Sequence, residues 1–120
     1  DKTYFATAAQ ALLDLIPRLE QLQLPANSII NINVPDRPYT ELTGIEVTRL
    51  GHRHRSDNPV LTTNPRGKEC YWISAAGAFA DDGPGTDIYA VEQGKVSVTP
   101  IQMDMTQHTA IPAVTEVIEN

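Results

Sequence analysis

Two short stretches hold most of the residues able to do chemistry. The first is Gly51-His52-Arg53-His54-Arg55, preceded by Arg49 and followed at a distance by Arg66 and Lys68. Arginine offers a permanent charge and a planar fork, so this run suits a phosphate or a partner's carboxylate. His52 and His54 share a side if the backbone is extended, which also admits zinc if His108 folds nearby. No Cys or carboxylate stands at a supporting spacing, and a solvated polar loop accounts for the same residues. The second stretch is Asp81-Asp82-Gly83-Pro84-Gly85-Thr86-Asp87. Its carboxylates suit a hard cation such as Mg2+, but oxygen ligands do not alternate along it and no Glu closes it. The other reading is structural. Gly83 and Gly85 permit positive φ, Pro84 stiffens the turn, Thr86 caps a helix, and Asp87 favours that helix's positive end. Ser74 and Ser97 lack a Gly-x-Ser-x-Gly setting, and no phosphate-binding glycine fingerprint appears. His108, beside Thr106 and Gln107, reads as a surface or capping residue.

A chain of 120 residues supports one modest core. Its net charge of −6 argues against binding long nucleic acid. Positive charge is nevertheless gathered between Arg49 and Lys68, where only Asp57 opposes it. A local cationic segment on an acidic body fits a phosphate-bearing small molecule or an acidic partner surface. No apolar run is long enough to span a bilayer, and no signal sequence stands at the start, so no membrane role is expected. The one cysteine, Cys70, lies in the strand-like Glu69-Cys70-Tyr71-Trp72-Ile73 and reads as a buried, inert thiol in a cytoplasmic protein. Asp1 in place of an initiator Met suggests a chain processed or cut from something longer.

These residues need elements to hold them. Phe5, Ala8, Ala9, Leu12, Leu15, Ile16, Leu19 and Leu22 recur at helical spacing, with Pro17 expected to kink or open the helix. Residues 28–34 alternate as a strand, placing Ile30, Ile32 and Val34 on one face and Asn31 and Asn33 on the other. Those amides are expected either to bond to backbone at the end of a sheet or to touch a ligand. Residues 44–50 form a second strand, and the polar excursion after it reads as a protruding hairpin or arm turning at Pro65-Arg66-Gly67. A third strand spans 70–74. The Asp-rich loop opens a short helix that Gly94 ends. Residues 96–104 are extended, with Pro100 marking an edge, bulge or crossing, and 109–118 form a last helix with Pro112 in its first turn. This is a mixed α/β order with too few strands to cover its own helices, so a sheet supplied elsewhere is expected.

Taken in order, several motifs resemble the SurE family, nucleotidases also called survival protein SurE. They are Asn31-Ile32-Asn33-Val34-Pro35, Gly44-Ile45-Glu46-Val47-Thr48-Arg49-Leu50-Gly51, and Asn64-Pro65-Arg66-Gly67 before Tyr71-Trp72-Ile73. Asp82-Gly83-Pro84-Gly85-Thr86-Asp87 and then Gly94-Lys95-Val96-Ser97-Val98-Thr99-Pro100 complete the set. The resemblance covers residues 28–108 and extends over both terminal helices. It implies a Rossmann-like three-layer α/β/α body, of which residues 1–120 form a single partial domain, the C-terminal region. It also implies a phosphatase that uses a divalent metal, Mg2+ or Mn2+, to hydrolyse nucleoside 5′- and 3′-monophosphates as a homodimer or homotetramer with exchanged arms. The family's metal site rests on an N-terminal Asn-Asp-Asp-Gly motif that this sequence lacks, since Asp81-Asp82-Gly83 follows Ala80 in a different place. No metal ligand and no catalytic residue is therefore assigned here, and the chain alone is expected to be inactive. Arg49, His52, Arg53, His54 and Arg55 are the candidates for substrate or inter-subunit contact. A non-catalytic oligomerisation or interaction module is the alternative.

Overall fold

The computed structural model describes residues 3–119; Asp1, on which the expectation of processing rested, lies outside them. In chain order the strands are β1 (Ser28–Asn33), β2 (Gly44–Val47), β3 (His52–Arg53), β4 (Val60–Thr63), β5 (Glu69–Trp72), β6 (Phe79–Asp81) and β7 (Lys95–Gln102). The helices are α1 (Phe5–Leu19), α2 (Asp87–Glu92) and α3 (Ile111–Ile118).

Helix α1 forms where its apolar stripe predicts, burying Ala11 and Leu15. Tyr4, at its N-cap position, makes no side-chain capping bond. The cap comes from afar, since the Tyr4 N–H donates to Asp36 Oδ1 at 2.7 Å; the Thr7 hydroxyl, donating to the Arg37 carbonyl at 2.8 Å, ties the first turn to the same segment. A carboxylate at that end also complements the helix dipole. Pro17 does not open the helix as expected, because α1 continues through it and ends soon after at Leu19. Leu22, expected to extend the stripe, lies beyond the helical end.

Strands β1, β7 and β2 make a three-stranded sheet in that order, with β1 antiparallel and β2 parallel to the central β7. Alternation along the strands produces two unlike faces. On one, Ile30, Ile32, Val96 and Val98 pack with Ala11 and Leu15 of α1, flanked by Leu19, Val34 and Leu42. On the other, Lys95 reaches Glu46 at 2.7 Å, and the Thr48 hydroxyl lies 2.8 Å from Ser97 Oγ and 2.7 Å from Thr99 Oγ1. Asn31 and Asn33 stand on this polar face opposite Thr99 and Ser97. They are half-buried, and neither amide bonds to backbone among the described residues, contrary to one of the two expectations.

Pro100 falls in the central strand rather than at the edge of the sheet. The register explains why it is tolerated. The Val98 carbonyl accepts from the Thr48 N–H, so Val98 turns its backbone groups towards β2, and Pro100 is the next residue to do so. Strand β2 has ended by then, at Val47, and no ladder bond is lost.

The expected arm is present as a two-stranded β4–β5 hairpin, with Val60 opposite Trp72 and Thr63 opposite Glu69. Its turn is held by the Asn64 side chain, which accepts from the N–H groups of Arg66 and Lys68, while Gly67 supplies φ +76°. Cys70 is half-buried on β5 rather than buried. Helix α3 carries Pro112 in its first turn, as expected, and residues 111–119 are all exposed.

The fold is α/β, and much of its apolar surface is uncovered. The radius of gyration is 20.1 Å, against about 14 Å for a compact chain of this length. Among the described residues the buried hydrophobic core is Ala11, Leu15, Ala90, Val96 and Val98, whereas Tyr71, Trp72, Ile73, Val117 and Ile118 are largely exposed. With so small a core, each buried side chain matters. Leu15→Ala is expected to cost about 2–5 kcal/mol, read as a lower urea midpoint at unchanged slope. Gln23→Ala, at an exposed position, should stay within about 0.5 kcal/mol of the parent.

Candidate functional site

The candidate residues gather where the arm leaves the body. Beyond β2 the chain makes a parallel bridge at Arg49 with Thr86. The Arg49 N–H donates to the Gly85 carbonyl at 3.1 Å, and the Asp87 N–H to the Arg49 carbonyl at 2.9 Å. The Arg49 guanidinium then forks onto Asp81, with Nη1 2.5 Å from Oδ2 and Nη2 3.2 Å from Oδ1. Asp87 Oδ1 accepts from the Gly51 N–H at 2.7 Å and from the Ile88 N–H at 2.9 Å. The cationic stretch and the acidic loop, separate in sequence, are thus one structural unit.

Strand β3 leads the arm outward and β6 brings it back, with His52 opposite Asp81 and Arg53 opposite Phe79. The Arg53 guanidinium lies 4.0 Å from the centre of the Phe79 ring and donates from Nη1 to the Gly77 carbonyl at 3.1 Å. The His54 N–H donates to the Ala78 carbonyl at 2.8 Å, and Arg55 Nη2 reaches Asn58 Oδ1 at 3.4 Å. Side chains from His52 to Arg55 are exposed. Two glycines allow this crossing. A Cβ on Gly77 would stand 2.2 Å from the His54 carbonyl oxygen, and one on Gly51 would stand 2.6 Å from that of Asp81.

The loop between β6 and α2 has the structural character expected of it. Thr86 caps α2, accepting from the Tyr89 N–H at 3.1 Å while its hydroxyl donates to the Gly83 carbonyl at 2.8 Å. Gly85 adopts φ +88°, but Gly83 is absent from the positive-φ glycines, so only one of the two expected conformations is used. Pro84 and Asp82 are exposed on the outer side of the turn.

Electrostatics follow the contacts. The Arg49 fork, with help from the Gly83 N–H and the charge of His52, holds the Asp81 carboxyl below its usual value, and Asp81 in turn raises Arg49. A second pair stands near the C-terminal helix, where His108 Nε2 lies 2.5 Å from Asp104 Oδ2 and lowers that carboxyl. Tyr39 and Asp14 hydrogen-bond between the turn after β1 and α1, which lowers Asp14 and raises Tyr39.

Among the described residues, no three His, Cys, Asp or Glu side chains come together as a metal site. His108 is not brought into such a group with His52 and His54. The carboxylates of Asp81 and Asp87 already serve Arg49, Gly51 and Ile88, so these two are not presented as a pair of metal ligands. Sequence reasoning missed Asp81 as Arg49's partner, and Phe79 and Gly77 as supports for Arg53. Arg49 and Asp81 are 32 positions apart. No local spacing links them.

A family model described as Survival protein SurE matches residues 1–57, which include the Asn31–Pro35 and Gly44–Gly51 motifs. A protein of Stenotrophomonas maltophilia named 5'-nucleotidase SurE is 49% identical over 114 residues, covering 95% of this chain and 44% of that protein. A Coxiella burnetii protein of the same name is 50% identical over 107 residues, covering 89% and 42%. This chain belongs to the SurE family. The crystal structure of the SurE protein from Aquifex aeolicus superposes with a TM-score of 0.73 at 32% identity, covering all of this chain and 48% of that one. The chain thus spans less than half the length of the SurE relatives it matches.

The Arg49–Asp81 pair has a signed consequence. Because the folded carboxyl is depressed, the stability it contributes is full above the ordinary Asp value and is lost as pH falls through the lower folded value. An NMR titration of the Asp81 carboxyl is expected to show a midpoint below 3.8. Arg49→Ala should move that midpoint upward; an unchanged midpoint would show that the fork does not govern it.

Proposed function

We propose that the protein is a divalent-metal-dependent phosphatase that hydrolyses nucleoside 5′- and 3′-monophosphates to nucleoside and phosphate. The observation that carries this reading is 49% identity, across 95% of the chain, to a protein named 5'-nucleotidase SurE. Mg2+ or Mn2+ is in this reading held by residues outside the chain, since no Asn-Asp-Asp-Gly motif stands in these 120 residues. The residues described here therefore support the chemistry rather than perform it.

Their contribution follows from what phosphate hydrolysis demands. A P–O bond to water forms as the ester P–O bond breaks, the departing nucleoside oxygen takes a proton, and negative charge spreads over the phosphoryl oxygens. Fixed cations near those oxygens favour that charge. Arg53, His54 and Arg55 on the arm, with His52 at its base, supply positive charge to the phosphate site of a neighbouring subunit, while Arg49 is held in its pair with Asp81. Homodimers or homotetramers fit the exposed apolar faces of the arm and of α3, including Leu61, Tyr71, Trp72, Val114 and Val117. The same faces favour a second reading, a non-catalytic oligomerisation module. The lone free cysteine fits a cytoplasmic setting.

Phosphate release from AMP separates the two readings. The full-length protein should turn over with Mg2+ or Mn2+, stop after EDTA treatment and recover on metal addition, while the 120-residue chain alone should release nothing. Absence of metal-dependent turnover by the full-length protein on any nucleoside monophosphate would leave the oligomerisation reading. Arg53→Ala with His54→Ala is expected to raise KM for nucleotide or change the oligomer's mass. If both are unchanged, the arm has no part in either.

A further inference from the structure

The arm is long, exposed and weakly tied to the body beyond its base, so its direction must be set where it departs. Strands β4 and β5 pack chiefly on each other. At the base, by contrast, both legs are held. The outgoing leg is fixed by the Asp87 carboxylate on the Gly51 N–H, and by the backbone bonds of Arg49 to Gly85 and Asp87. Asp81, which closes the returning leg, is gripped by the Arg49 fork. Gly51 is pressed between the Asp81 carbonyl and the Ile88 side chain, so this junction has no slack.

We propose that Asp81 and Asp87 form a clasp that sets the direction in which the arm leaves the body, making both of them positioning residues for Arg53, His54 and Arg55. Asp87 is the centre of the clasp, since one carboxylate oxygen accepts from Gly51 on the arm and from Ile88 in the first turn of α2. The arm's outgoing leg is thereby tied to the same helix whose start Thr86 caps. Asp81 acts differently. Its two oxygens engage both terminal nitrogens of Arg49, which fixes the angle between the two legs as well as their spacing. The consequence for nucleotide binding rests on the function proposed above; the clasp itself does not.

Hydrogen exchange by mass spectrometry on the full-length protein tests the clasp without reference to activity. In Asp87→Ala, amides in residues 50–55 and 77–81 should exchange about tenfold to a hundredfold faster, because a hydrogen bond to a charged acceptor is lost at the hinge. Residues 95–102 should keep their protection, and Asp87→Asn, which retains an acceptor oxygen, should fall between the two. Unchanged exchange in the arm legs would overturn the proposal, as would loosening spread equally through β7. Kinetics add a separate reading. Asp87→Ala should raise KM for AMP more than it lowers kcat, with partial recovery in Asp87→Asn. Loosened legs with unaltered kinetics would uphold the clasp and remove only the arm's proposed role at a phosphate site.

Discussion

The body of this chain is referenced to β7, which lies between β1 and β2 in the main sheet and also packs against α2. It is buried from Val96 to Thr99, and its two faces make opposite demands. Towards α1 it offers Val96 and Val98, the apolar centre of the core. Towards the other side it offers Ser97 and Thr99, whose hydroxyls both meet Thr48. Parallel pairing with β2 carries Thr48 to that position, and the next residue, Arg49, begins the arm's base. The candidate site thus inherits its placement from the sheet's register. A slip of one residue would bring Val47 among hydroxyls and turn Thr48 towards the core.

Charge is arranged on a different principle. The body is acidic, yet the cations before and along the arm are not simply solvated. Arg49 is spent on Asp81 and Arg53 lies on Phe79, both with backbone contacts nearby. Paired with Asp81, Arg49 keeps little net attraction for an anion elsewhere, and as an exposed, screened pair the two add little stability. Its value is geometric, since a forked contact fixes orientation as well as distance. Arg55 has the looser hold, reaching Asn58 at 3.4 Å, and so keeps more of its freedom to meet a partner group.

The elements were legible in the sequence because they rest on local rules. The stripe of α1, the alternation of β1, the Asn64-to-Gly67 turn and the Thr86 cap all depend on residues a few positions apart. The motifs also made the family legible. What could not be read depends on chain crossings. Asp36 caps a helix more than a full element away, and Asp81 reaches back to Arg49 across the whole arm. Pro100 shows the same limit from another side. Its residue type suggested an edge, bulge or crossing, but only the length of β2 reveals that a central strand can hold it. Helix α1 runs on through Pro17, because the one missing N–H lies two residues before the helical end and leaves the earlier turns intact.

The hydroxyl cluster explains why so small a core can still specify one pairing. Thr48, Ser97 and Thr99 are buried, and a buried hydroxyl without a partner is costly. Here each has one, because Thr48 bridges the other two, and no buried side-chain nitrogen or oxygen among the described residues lacks a partner. A one-residue slip of β2 would turn Thr48 to the apolar face and take from Ser97 and Thr99 the hydroxyl they meet here. The polar face therefore selects the register, while Val96 and Val98 on the other face supply the burial that holds it. Because Arg49 follows Thr48 directly, the same selection fixes where the arm's base can form. The strand that builds the core also aims the arm.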